Sequence, residues 1–401
     1  MGITSAHQMK KIIPYGKQEI SQADIDLVCE VLRSDFLTQG PMVPRFESLV
    51  AIKCKVKYAV AVNSATSALH IACLALDVGQ GDIVWTSPIT FVASANCALY
   101  CGASVDFVDI DSKTYNINVS CLTEKLELAE KIGKLPKVLI PVHLAGQSCE
   151  MEKIHALSKK YGFKIIEDAS HAIGGKYKNE PIGNCKYSDI TVFSFHPVKI
   201  ITTGEGGMAL TNNDELNNKM HRFRSHGITR SIEEMTQPPD GAWYYQQLDL
   251  GYNYRMTDIQ AALGVSQMGR LDEFVTKRHL VANRYDGLLK DKPVTLPWRQ
   301  YDSYSGMHLY IVRLKLKEFK LSHKQVFEQL RNAGILVNLH YIPIYRQPYY
   351  SKFGYDPKNF PEAEEYYKEA ISIPMFPGLK EEEQIEIVER LITPIGYQTL
   401  F

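Results

Sequence analysis

From about Lys57 to Leu210 the chain alternates short apolar strands with amphipathic helical segments. No other feature constrains the fold as much. Strand–helix–strand units close into a mostly parallel sheet with helices on both faces. KYAVAV runs into a helix with apolar residues at Leu69, Ala72, Cys73 and Leu76, and the stretch from Gly81 to Asp111 reads strand, loop, helix, strand. KVLIPVHLAG and IHALSKKYGFKIIED make a further unit, and DITVFSFH and GGMALTN read as strands flanking a loop. A chain of 401 residues can bury two cores, one in a large domain and one in a smaller one. A long helix from Thr257 through about Leu289 is expected to lead into the second domain. That domain supplies the strands HLYIVRLKL and GILVNLHYIP and the closing helix EEEQIEIVERLI.

Charge and composition exclude several classes of partner. Forty-five basic and 45 acidic residues cancel, so no bulk attraction to nucleic acid or an anionic membrane is implied. The basic stretch KMHRFRSH reads as a solvated helix face. No apolar run approaches the ~20 residues that cross a bilayer. MGITSAHQMKK lacks the apolar centre of a secretory signal. The 8 cysteines and 12 histidines show no disulfide or zinc spacing, so no metal is expected and a reducing cytoplasm is the expected home. Cys97 and Cys101 read as small core residues. VGQGD precedes a strand instead of following one, which excludes a dinucleotide fingerprint. The polar, aromatic loop from Thr229 to Gln246 has the composition of an active-site or dimer-contact loop.

Ligands of open α/β sheets gather at the C-terminal ends of the strands, and chemistry-bearing residues stand at those ends. SFHPVKIITTGEGG sets Lys199 between an apolar strand and a glycine-rich turn. A desolvated lysine amine is suited to Schiff-base chemistry with an aldehyde cofactor, although most lysines are solvated surface groups. FKIIEDASHAIGG delivers Asp168 at a strand end, either to hold the protonated ring nitrogen of a pyridine cofactor or to cap the next turn. In NSATSAL, Ser64 or Thr66 stands where a helix N-cap belongs, and the free amides there suit a phosphate or simply start a capped helix. Phe91, after the strand end at Thr90, is either a stacking ring or a core residue.

The order of these pieces resembles the fold-type I pyridoxal-phosphate enzymes, and within them the sugar aminotransferases of the DegT/DnrJ/EryC1/StrS family. The similarity covers nearly the whole chain through SDFLTQGPMVPRFE, NSATSAL, TFVASAN, EDASHA, SFHPVK with GEGG, FRSHG, GYNYRMTDIQAALG and GILVNLHYIPIYRQPYY. It implies an α/β, aspartate-aminotransferase-like fold. Residues 12–275 would form the large cofactor domain around a mostly parallel mixed sheet, and 276–401 a smaller C-terminal α/β domain. It assigns Lys199 as the residue that binds pyridoxal 5'-phosphate covalently and then moves the substrate proton. Asp168 would pair with the ring nitrogen, Phe91 would stack on the ring and His171 would lie beside it. Ala65, Thr66 and Ser194 would hold the phosphate, and Asn253 would reach the phosphate in the other subunit of a homodimer with shared sites. Arg255, His340 and His196 are candidates for substrate contacts.

Some members of the family carry histidine in place of that lysine and dehydrate deoxysugars; Lys199 argues against dehydration here. Retention of Lys199, Asp168 and Ser194 also argues against a binding protein without turnover. NSATSAL, SFHPVKIITTGEGG, FRSHG and VNLHYIPIY follow the wording of the pseudaminic-acid subgroup. The implied reaction passes the amino group of L-glutamate to UDP-2-acetamido-2,6-dideoxy-β-L-arabino-hex-4-ulose, a UDP-4-keto-6-deoxy-N-acetylhexosamine. The alternative is another nucleotide-linked 4-keto-6-deoxy sugar, gluco-configured or dTDP-bound.

Overall fold

A computed structural model describes residues 12–393. The signal-sequence reading of MGITSAHQMKK and the last residues of the expected second domain lie outside that range. Seven strands form the central sheet: β1 (Tyr58–Val62), β2 (Ile83–Thr86), β3 (Ser104–Phe107), β4 (Val138–Ile140), β5 (Lys164–Asp168), β6 (Ile190–Ser194) and β7 (Gly207–Thr211). Their order is β1-β7-β6-β5-β4-β2-β3. Every pairing is parallel except the two made by β7, which runs antiparallel to both neighbours.

Period-two alternation sorts the strands' side chains between two cores. Val60, Val62 and Val192 join one core with the helix Ala65–Ala75. Ala59, Ala61, Phe193 and Met208 join the other with Phe46 and Val265, from the helices Met42–Cys54 and Asp258–Met268. Both faces are therefore covered, which is why β6 and β7 are buried at every position.

A three-stranded antiparallel sheet follows, of β8 (Val294–Thr295), β9 (Tyr310–Leu314) and β10 (Ala370–Ile373), with β9 in the middle. The helices His323–Asn332 and Glu381–Ile392 contribute Val326, Leu330, Ile387 and Leu391 to its core. Near the start of the described chain, Ile13–Pro14 pairs in parallel with Ile335–Leu336 as a separate two-stranded sheet, and Ile13 and Ile335 join the same smaller core.

Two expectations change. The long helix is two helices, Asp258–Met268 and Leu271–Leu288, parted at Gly269 and Arg270. Glycine is a poor helix former, and beside the break Gln267 and Arg270 reach Glu19 of the N-terminal segment. GILVNLHYIP is a strand only at Ile335–Leu336. Asn338 exchanges both backbone hydrogen bonds with Ser372, and the chain beyond it lines a cavity instead of extending the sheet.

Candidate active site

The C-terminal ends of β1, β5 and β6 open into a cavity of about 1060 Å³, closed on its far side by Tyr15 and by residues 338–341 of the smaller lobe. β1 is followed by Asn63, whose N–H donates to the Tyr254 carbonyl at 2.8 Å. Ser64 follows in an extended conformation (φ −164°, ψ 159°), and its Oγ caps the helix by accepting the Ser67 N–H at 3.1 Å. Ala65 and Thr66 then occupy the first turn, where N–H groups have no intrahelical acceptor.

Gly207, at the start of β7, is what allows this helix to begin here. A Cβ on Gly207 would lie 2.4 Å from the Ala65 nitrogen, so only glycine permits the approach. Because Gly207 pairs with Ser194, the Ser194 side of the sheet is brought beside the helix start. The result is a cradle of free amides and small hydroxyls with the helix dipole behind it, a fit for a phosphate.

Asp168, buried at the end of β5, is oriented by three donors. Ser94 Oγ donates to Oδ2 at 2.6 Å, and Ser170 donates to Oδ1 from its N–H at 3.2 Å and from its Oγ at 2.5 Å. Thr90 Oγ lies 2.8 Å from Ser94 Oγ and steadies the first of them. A carboxylate fixed in this way suits a protonated pyridine nitrogen.

Lys199 lies in the loop between β6 and β7. Phe195 anchors that loop: its N–H donates to the Gly206 carbonyl, and its carbonyl accepts Thr203 N–H and Thr202 Oγ. The Lys199 N–H donates to the His196 carbonyl at 2.9 Å. Burial pushes the Lys199 ammonium down to about 8, against the opposing pull of the Asp168 carboxylate. Its amine is thus available uncharged in mildly alkaline water.

Three histidines crowd the opposite wall. His171 and His308 are buried with ring centroids 4.4 Å apart, and desolvation drives both well below the ordinary imidazole range. His340 is held to about 3 by burial and by the Lys199 charge, and its Nδ1 lies 2.8 Å from Ser372 Oγ.

The cavity gathers Lys199, Ala65, Thr66, Phe91, Asp168, His171, Ser194, His196 and His340. Phe91 is 57% exposed, which rules out its reading as a core residue; its ring faces Tyr341 at 6.1 Å. Asn253 and Arg255 lie outside the cavity. They form isolated bridges to Ser225 and Val62, and Asn253 is exposed. The Thr229–Gln246 loop does not line the cavity of its own chain either.

Sequence reasoning passed over Tyr15, Ser94, His308, Asn338 and Tyr341. Ser94 carried a usable signal: a serine four residues after Thr90, in the first turn of the helix Ala93–Tyr100. Tyr341 stood inside a family segment but had no neighbour in sequence to suggest its role.

The sequence matches the DegT/DnrJ/EryC1/StrS aminotransferase family over residues 18–392. The chain belongs to that family. It is 41% identical over 366 residues to the UDP-4-amino-4,6-dideoxy-N-acetyl-beta-L-altrosamine transaminase of Campylobacter jejuni, covering 90% of this chain and 92% of the relative. Its fold is similar to Helicobacter pylori PseC, an aminotransferase involved in the biosynthesis of pseudoaminic acid, with a TM-score of 0.88 and 34% identity over 96% of this chain and 100% of the other. A sugar aminotransferase of Streptococcus pneumoniae, described as putative and solved in PMP and PLP forms, superposes with a TM-score of 0.85 for each, at 30% and 29% identity, over 96% of this chain and 99% of the other. The chain is a fold-type I, pyridoxal-phosphate-dependent aminotransferase. Among the described residues no helix is long and apolar enough to cross a membrane.

Proposed function

We propose that this enzyme is a nucleotide-sugar 4-aminotransferase. It passes the amino group of L-glutamate to UDP-2-acetamido-2,6-dideoxy-β-L-arabino-hex-4-ulose. The products are 2-oxoglutarate and UDP-4-amino-4,6-dideoxy-N-acetyl-β-L-altrosamine, which serves pseudaminic acid biosynthesis. The observation that carries the reading is the depressed amine of Lys199 in the same cavity as the clamped Asp168 and the open helix start at Ala65 and Thr66. The likeness to the Campylobacter transaminase supports the choice of sugar.

In this reading Ala65, Thr66 and Ser194 hold the phosphate, Asp168 holds the ring nitrogen, Phe91 covers the ring and His171 lies beside it. Once bound, pyridoxal phosphate supplies an electron sink conjugated to the reacting carbon. Lys199 Nζ would hold the cofactor covalently, and its buried amine, when free, would serve as the base that carries the proton of the reacting carbon. His196 and His340, which line the cavity, are the substrate-side contacts in this reading, whereas Arg255, outside the cavity of its own chain, would reach a substrate only in the partner subunit's site. Residues 12–275 act as the cofactor domain and 276–401 as the small domain. The enzyme works in the cytoplasm as a homodimer, in which Asn253 completes the phosphate site of the partner subunit.

The test loads the protein with pyridoxal phosphate, converts it with L-glutamate, removes the excess and adds each epimeric UDP-4-keto sugar separately. Return of the starting absorbance with the L-arabino ketone alone is expected. Return with the D-xylo ketone alone would move the enzyme to gluco-configured sugars. No spectral response to glutamate would overturn the donor.

A further inference from the structure

One donor in the cavity, the Tyr341 hydroxyl, has a direction dictated by the fold. His171 Nδ1 accepts the N–H of Ala145 at 3.2 Å. That N–H is aimed by a turn pressed onto His171, since a Cβ on Gly146 would sit 2.7 Å from the His171 carbonyl oxygen. A ring nitrogen that accepts a hydrogen has none of its own, so the proton of the neutral imidazole is on Nε2. Nε2 lies 3.2 Å from Tyr341 Oη and must donate to it. Desolvation, with Lys199 and His340 nearby, keeps the ring from taking a second proton. The Tyr341 hydroxyl hydrogen therefore points away from His171. Tyr341 lines the cavity, and among the described residues no acceptor takes that hydrogen.

The strand order indicates what does. Ser64 and Ser194 follow β1 and end β6, on one side of Asp168 at the end of β5. Ala145 follows β4, on the other side, and carries the His171–Tyr341 pair with it. A pyridoxal ring carries its phosphate arm and its 3-oxygen on opposite flanks of the axis from ring nitrogen to C4. With the nitrogen at Asp168 and the phosphate at Ser64, the 3-oxygen would fall on the flank that carries His171 and Tyr341.

Resting on the functional reading above, we infer that Tyr341 is a positioning residue whose hydroxyl, oriented by His171, donates to an oxygen of the bound ligand, the 3-oxygen of the cofactor ring. The same chemistry would suit a sugar oxygen, and the experiment separates the two sources.

Apo-protein and its Tyr341→Phe variant are titrated with pyridoxal phosphate and with 3-deoxypyridoxal phosphate, without substrate. Wild type should bind pyridoxal phosphate about tenfold more tightly than the deoxy analogue, as expected for one hydrogen bond to a charged acceptor. The variant should discriminate between the two less than wild type does, keeping only the preference that the 3-oxygen's own contact with the imine nitrogen gives, and show a displaced absorption maximum with pyridoxal phosphate. Equal discrimination by the two proteins overturns the ring assignment. If the variant then raises KM for the keto sugar, the oxygen belongs to the sugar; if it does not, the hydroxyl holds nothing. Wild-type preference for pyridoxal phosphate is read without any variant, so a misfolded Tyr341→Phe protein leaves a decisive arm: no preference overturns the inference. Failure of wild type to bind either compound would instead count against the functional reading.

Discussion

At the scale of single residues, the chemistry turns on an amine that burial has made partly neutral. Lys199 titrates at about 8, so the rate at which apo-protein captures pyridoxal phosphate should rise with pH through a midpoint near that value. A midpoint at the ~10.4 of a solvated lysine would contradict the burial argument. The sign for stability follows from the same shift. Between about 8 and ~10.4 the unfolded chain binds the proton that the folded chain has released, so this group makes stability rise with pH across that window. Lys199→Ala should lower transfer by at least ~10³-fold while leaving the circular dichroism spectrum intact, given what a positioned acid–base group contributes. Asp168→Ala should also cost activity, because the ring nitrogen loses its anionic partner. Near-normal turnover in that variant would show that another carboxylate holds the ring.

At the scale of elements, the site depends on where one helix is allowed to begin. Gly207→Ala would drive a methyl group into the backbone of Ser64 and Ala65. The expected outcome is a loss of about 3 kcal/mol in stability and weaker cofactor binding, read by chemical denaturation and by titration. An unchanged affinity would mean that the helix start is not the phosphate seat. Much of this level was legible in sequence. Alternating strands, the serine before the helix and the closing helix at Glu381–Ile392 are local signals, and each was readable where it stands. The break at Gly269–Arg270 was not, because the apolar pattern continues through it and its cause includes contacts with Glu19, some 250 positions away in the chain. Ser94 and Tyr341 were missed for the same reason. Their partners, Asp168 and His171, are distant in sequence and meet them only through the strand order.

For the whole molecule, the main consequence of the proposed function is a site shared between two copies of the chain. Asn253 is exposed at the edge of β1 and outside the cavity of its own chain, a placement that suits reaching into a second copy. The loop between Thr229 and Gln246 exposes Ile232 and Trp243 and is pinned at its base by Arg222, which pairs with Glu234 at 3.0 Å and Asp249 at 2.6 Å. Mixing Lys199→Ala with Asn253→Ala chains should regenerate activity, since a hybrid dimer then contains one site with both residues intact. Mixtures no more active than the separate variants would refute shared sites.

The most direct test of the central claim is to load the protein with pyridoxal phosphate, reduce it with borohydride and map the labelled peptide by mass spectrometry. A single label on Lys199 is expected. A label on another lysine, or none above background, would contradict it.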